Sequence, residues 1–173
     1  GYDNVLDDLV LTENISGVTF LNVNNMEIID LTGIEDFTAL TNLNCGDNQL
    51  TALDVSNNTE LTTLKCPDNQ LTSLDVSNNT ALTVLAIGSN ELTSLDVSNN
   101  TALTELYCYG NQLTTLDVSN LLFVTQLYCS NNQLTNLDVS AHTSLTRLEC
   151  SNNQLTSLDV SNNTALTNLT CGS

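Results

Sequence analysis

The sequence predicts a solenoid, a stack of similar coils joined by one parallel β-sheet and containing little helix. A 21-residue phrase is written six times between residues 40 and 165, opening at Leu40, Leu61, Leu82, Leu103, Val124 and Leu145, and a seventh copy opens at Leu166. A fixed period in this range marks a unit that cannot bury its apolar face alone and so stacks on copies of itself. Each copy carries apolar side chains at the same offsets, in the first at Leu40, Leu43, Cys45, Leu50, Leu53 and Val55. The alternation at Leu-x-Cys predicts a short strand and that at Leu-Asp-Val a second extended stretch, since both have the period of two that extended chain requires. The rest of the phrase is too short and too polar for a long helix, so the back of each coil is expected to be extended or tightly turned.

Taken in order, residues 1–17 read as a partial N-terminal cap, because Asp3 to Thr12 alternates acidic and apolar residues like the tail of a capping helix. Such a cap would cover the apolar face of a terminal coil. Residues 18–39 form an irregular first coil with Val18, Leu21, Val23, Ile28, Leu31 and Ile34 at the inward slots. Further coils begin at 40, 61, 82, 103, 124, 145 and 166, so one repeat domain spans 18–173 and its last coil is truncated. Without an initiating Met or a closing cap, the chain is expected to be part of a longer polypeptide whose other domains lie elsewhere.

The run L-x-x-L-x-C-x-x-N-Q-L, as at Leu103 to Leu113, resembles the leucine-rich repeat with cysteine at a slot that is ordinarily apolar. The period, the cysteine and the following L-D-V-S look most like internalin-type bacterial repeats that carry a cysteine ladder. The segment Leu31 to Phe37 resembles the opening repeats of internalins. The likeness covers residues 18–173, and similar repeats occur in surface and secreted proteins of the Bacteroidetes. It implies a right-handed solenoid with its parallel sheet on the concave face, short extended or turning segments on the convex face, and a secreted or cell-surface location. It does not name a ligand, because one fold carries many binding specificities.

Composition narrows the partners. Twenty acidic residues against two basic ones give a formal charge of −18, which argues against nucleic acid and anionic membrane surfaces. No signal peptide or membrane-spanning run is present. Cys45, Cys66, Cys108, Cys129, Cys150 and Cys171 share one inward column in which Ile87 takes the remaining place. Strands lie about 4.8 Å apart, whereas a disulfide wants Cβ atoms about 3.5–4.5 Å apart, so the thiols are expected to be free and to act as packing. No neighbouring column supplies the histidines of a metal site.

Three polar columns run beside them. Asn48, Asn69, Asn90, Asn111, Asn132 and Asn153 suit amides that bond turn backbone between coils. Asp54, Asp75, Asp96, Asp117, Asp138 and Asp159 stack like charges outward; local hydrogen bonds within Asp-x-Ser turns are the preferred reading, and calcium bridging between coils is the alternative. Threonines recur from Thr41 to Thr167 and from Thr51 to Thr156, which leaves an ice-binding face as a distant third function.

Specificity is expected where the copies differ. Two columns flank the inward leucine of each strand: Asn42, Thr63, Val84, Glu105, Gln126, Arg147, Asn168, and Asn44, Lys65, Ala86, Tyr107, Tyr128, Glu149, Thr170. A third, after the cysteine, holds Gly46, Pro67, Gly88, Tyr109, Ser130, Ser151 and Gly172. Three of the four tyrosines and both basic residues fall in these columns, and exposed Tyr and Arg are typical contact residues. The candidate binding residues are therefore Lys65, Glu105, Tyr107, Tyr109, Gln126, Tyr128, Arg147 and Glu149. A secondary apolar patch is expected at Leu121, Leu122 and Phe123, where Asn-Asn-Thr-Ala-Leu becomes Asn-Leu-Leu-Phe-Val. His142 is the only histidine and no nucleophile or acid pair is placed to work with it, so no catalysis and no cofactor are expected. The chain reads as a noncatalytic module that binds a protein or glycan through its concave sheet; a structural spacer stiffened by calcium is the rival.

Overall fold

The computed structural model describes residues 15–172; the expected cap at Asp3 to Thr12 lies outside them. Eight three-residue strands follow in chain order: β1 (Phe20–Asn22), β2 (Asn42–Asn44), β3 (Thr63–Lys65), β4 (Val84–Ala86), β5 (Glu105–Tyr107), β6 (Gln126–Tyr128), β7 (Arg147–Glu149) and β8 (Asn168–Thr170). They form one sheet in that same order, every pair parallel. Register is strict, so Leu43, Leu64, Leu85, Leu106, Leu127, Leu148 and Leu169 pair in sequence. Among residues 16–172 the single helical element is a 3-10 turn, Ile34–Asp36. Each strand is centred on its leucine and ends one residue before the cysteine slot, which Val23 fills after β1 and Ile87 after β4, and Leu53 to Val55 forms no second strand.

The core is the stack of leucine, valine and cysteine columns. Leu40, Leu43, Cys45, Leu50 and Val55 are fully buried, as are their counterparts at Leu61, Leu64, Cys66, Leu71 and Val76. The first coil departs from expectation: Ile34 is buried, but Val18, Leu21, Val23, Ile28 and Leu31 are only partly so. Among the described residues its strand pairs with β2 alone, so these side chains meet the described core from one side. All six cysteines are free thiols, five buried and Cys171 exposed. Burial pushes the Cys108 thiol up to about 12, because an apolar interior disfavours the thiolate.

Asparagine amides tie the coils together. The Asn90 amide donates to the carbonyls of Cys66 in the preceding coil and of Ile87 and Gly88 in its own, at 3.0, 3.2 and 3.3 Å, while its oxygen accepts the Leu71 N–H at 3.0 Å. Asn69, Asn111 and Asn132 repeat the pattern. The residue before each ladder asparagine has positive φ, at Asp47, Asp68, Ser89, Gly110, Asn131 and Asn152, a conformation that small polar residues and glycine tolerate best.

A second buried amide column escapes the sequence reading. Asn79 donates to Val55 and Asn58 of the preceding coil at 2.9 and 3.0 Å, and Asn100 and Asn163 do the same one and four coils on. The repeated second asparagine of V-S-N-N was the available signal. His142 occupies this column, with its Nε2 at 3.0 Å from the Val118 carbonyl; since a carbonyl can only accept, Nε2 carries the proton there. Leu121 occupies it too, and is fully buried. The expected apolar patch is corrected accordingly: Leu122 and Phe123 are exposed, and Leu121 fills an amide slot in the interior.

Candidate binding face on the sheet

Because strand residues alternate, the side chains flanking each inward leucine leave the sheet on its outer side. In-register pairing brings Ala86, Tyr107, Tyr128 and Glu149 into one row and Val84, Glu105, Gln126 and Arg147 into the other. The Tyr107 and Tyr128 rings stack with centroids 4.7 Å apart and an interplanar angle of 28°, close to one strand spacing. Their hydroxyls are tied down from the neighbouring row. Tyr107 donates to Glu105 Oε2 at 2.8 Å, and Arg147 donates to the Tyr128 hydroxyl at 2.8 Å. Gln126 Nε2 reaches Glu105 Oε1 at 3.4 Å and closes the network. Burial, then the Glu105 hydrogen bond, raises the Tyr107 phenol above its ordinary value. Arg147 is raised as well, chiefly by its bond to Tyr128 and further by Glu149 alongside.

The structure thus joins Glu105, Tyr107, Gln126, Tyr128 and Arg147 into one group with Glu149 at its margin. Tyr109 lies outside the stacked pair, though it lines the same cleft as Tyr107. Its ring lies over Gly88, where an added Cβ would stand 2.4 Å from the Tyr109 Cζ. The missing side chain at residue 88 admits the ring, and Pro67 leans over Gly46 in the same way. Burial is the main cause that raises the Tyr109 phenol, followed by the charges of Asp68 and Asp47. Lys65 is exposed on β3, separated from Tyr107 by Ala86. Between Lys65 and Tyr107 lies a cleft of about 230 Å³ floored by Val84, Ala86 and Gly88, with Tyr109 at one end.

The other columns are engaged in structure. Each aspartate of the outward column accepts the N–H of the serine two residues on, at 2.8–2.9 Å. That serine holds the carboxyl below its ordinary value, through its hydroxyl and then its N–H at Asp54, Asp75 and Asp138, and in the reverse order at Asp96, Asp117 and Asp159. The threonines from Thr41 to Thr167 donate their hydroxyls to the carbonyl one coil back at 2.9–3.1 Å. Wider grooves of about 400 Å³ run beside the Asp column, one between the irregular first coil and its neighbour and one between two repeated coils. Among the described residues no three His, Cys, Asp or Glu side chains are grouped to hold a metal ion, and no helix is long and apolar enough to cross a membrane.

Known proteins resemble this chain at two levels. A family model described as the LVIVD repeat matches residues 45–65 and 83–111, less than half of the chain. Internalin J of Listeria monocytogenes serotype 4b (strain F2365) is 47% identical over 51 residues, which is 30% of this chain and 6% of that protein. The solved functional domain of internalin J from Listeria monocytogenes, described as including a cysteine ladder, superposes with a TM-score of 0.92 at 48% identity over 94% of this chain and 36% of its own length. Internalin C2 of Listeria monocytogenes str. 4b F2365 superposes with a TM-score of 0.87 at 23% identity, covering 92% of this chain and 74% of its own, and so shares the fold. The chain is a leucine-rich-repeat solenoid similar to internalins, cysteine ladder included. The expected Bacteroidetes-type origin finds no support in these relatives, which come from Listeria. The internalin J match carries more weight than the LVIVD one because it spans nearly every coil at high identity.

Proposed function

We propose that this solenoid is a noncatalytic binding module of a secreted or cell-surface bacterial protein, and that it holds its partner on the concave sheet face through Tyr107, Tyr128 and the charged residues around them. The observation that carries this reading is the stacked tyrosine pair, whose hydroxyls are oriented by Glu105 and Arg147. Rings held in place lose little further freedom when a partner arrives, which favours affinity. The partner is a protein or a glycan, and an acidic chain with charge −18 selects against nucleic acid. Similarity to internalin J, of whose solved domain the chain spans 36%, supports a surface role within a larger polypeptide. The spacer reading gains nothing from the Asp column, whose carboxylates already have local donors. The ice-binding reading is weakened by Thr41 to Thr167, whose hydroxyl protons are spent on carbonyls.

Affinity capture from host-cell surface extract and hybridisation to a glycan array, each with the parent chain and with Tyr107→Ala/Tyr128→Ala, test the proposal. A partner retained by the parent and weakened about tenfold or more by the double variant is the expected result for hot-spot residues. Equal retention by a folded double variant would remove the binding role from the tyrosines.

A further inference from the structure

The tyrosine stack stops abruptly at Ala86. Along one row of the sheet, successive strands carry Tyr128, Tyr107, Ala86 and Lys65. Two rings follow each other at 4.7 Å, then a methyl group stands where a third ring would continue, then an ammonium group. One face of the Tyr107 ring is covered by Tyr128, and the opposite face borders the cleft above Ala86. Pro67 and the Tyr109 ring close the cleft along the strand direction.

From this arrangement we propose that the cleft over Ala86 receives one aromatic side chain of a protein partner, stacked on Tyr107 as the third ring of the series, with a carboxylate of the same partner on Lys65. The assignment rests on the sheet face being the binding surface and specifies what binds there. Size favours a single side chain, since about 230 Å³ falls below the roughly 300–1,000 Å³ of clefts that hold drug-sized ligands. Chemistry favours an aromatic ring over a sugar. The walls are Pro67, Val84, Ala86, Gly88 and two tyrosine rings, with Lys65 and Glu105 completing the lining; the Glu105 carboxylate already accepts from Tyr107 and Gln126, so few directional partners remain for a sugar's hydroxyls. An offset ring one strand spacing away from Tyr107 matches the separation that aromatic pairs prefer.

Charge supplies the second half of the match. Of the two cations in the chain, Arg147 is engaged with Tyr128, whereas Lys65 is exposed at the edge of the cleft. In a chain of net charge −18, that ammonium is the cation lining this cleft, where a partner's carboxylate meets attraction.

The test uses N-acetyl-Trp-Asp-amide as probe, titrated into the chain while the Ala86 methyl and the Tyr107 ring are followed by NMR. Saturable shifts at both groups are expected, with N-acetyl-Trp-Lys-amide and N-acetyl-Ala-Asp-amide each at least fivefold weaker. Lys65→Met should abolish the preference for Asp over Lys. Ala86→Tyr should fill the cleft with the chain's own ring and remove binding, with an unchanged amide spectrum elsewhere showing that the fold persists. Absence of shifts at Ala86, equal response to the Asp and Lys probes, undiminished binding by Ala86→Tyr, or stronger response to glucuronate would each overturn the proposal. In any of those cases, loss of captured partner in Tyr107→Ala/Tyr128→Ala would leave the sheet face as the binding surface; unchanged capture would remove that reading as well.

Discussion

The column that begins at Asn48 and the column that begins at Asn44 climb the same stack four residues apart and vary in opposite ways. In the first, asparagine stands in all six copies, and in Asn90 one amide satisfies four backbone groups of two coils. Any other residue would leave a buried N–H and several carbonyls unpaired. In the second, Asn44, Lys65, Ala86, Tyr107, Tyr128, Glu149 and Thr170 follow one another with the strand register unaltered. Cohesion thus resides in the first column, and the sheet face can change residue by residue in the second while the coils stay in place. The second amide column falls between these extremes. Asn58, Asn79, Asn100 and Asn163 donate twice or more across coils, but their Oδ1 atoms are buried with no partner among the described residues, and Leu121 and His142 interrupt it.

The largest expected effect comes from the thiols, which belong to the interior side of this contrast. Unfolded cysteines ionise near pH 8.5, while Cys108 and Cys150 are pushed up to about 12 and about 11 by burial. As pH rises the unfolded chain loses protons before the folded one does, so stability is intact below about pH 8.5 and falls from there toward about 12. Urea midpoints measured from pH 7 to 10.5 should drop steadily above 8.5 in the parent and less steeply with Cys108→Ala/Cys129→Ala, which leaves Cys66 and Cys150 to titrate. Identical slopes in both chains would take the thiols out of the account.

Replacing Asn90 with Ala comes next. It strips the donor and acceptor from four backbone groups and should cost about 3 kcal/mol in equilibrium unfolding. Asn100→Leu should cost about 1 kcal/mol or less, because Leu121 shows the same exchange accommodated one coil on, and removing an amide whose oxygen is already unpaired relieves part of the loss. Equal costs for the two variants would erase the distinction between the amide columns.

How much of this was readable beforehand follows the same division. The period gave the coils, the leucine and cysteine columns gave the core, and the offsets of Tyr107 and Tyr128 gave their adjacency, because strict register turns sequence spacing into spatial neighbours. Three features stayed hidden. Leu121 read as surface apolar bulk because the second amide column had not been recognised as interior. The seat of the Tyr109 ring stayed hidden because nothing in its own identity shows that Gly88 leaves a place for it. The cleft over Ala86 depends on what three successive coils lack, which no single copy displays.

We propose that folding energy resides in the buried columns, which leaves the tyrosine pair free for recognition. The most direct test is the unfolding free energy of Tyr107→Ala/Tyr128→Ala measured beside that of Asn90→Ala. Exposed-face truncation should cost under about 1 kcal/mol, well below the cost at Asn90. A loss equal to that of Asn90→Ala would make the stacked tyrosines part of the scaffold and contradict the claim.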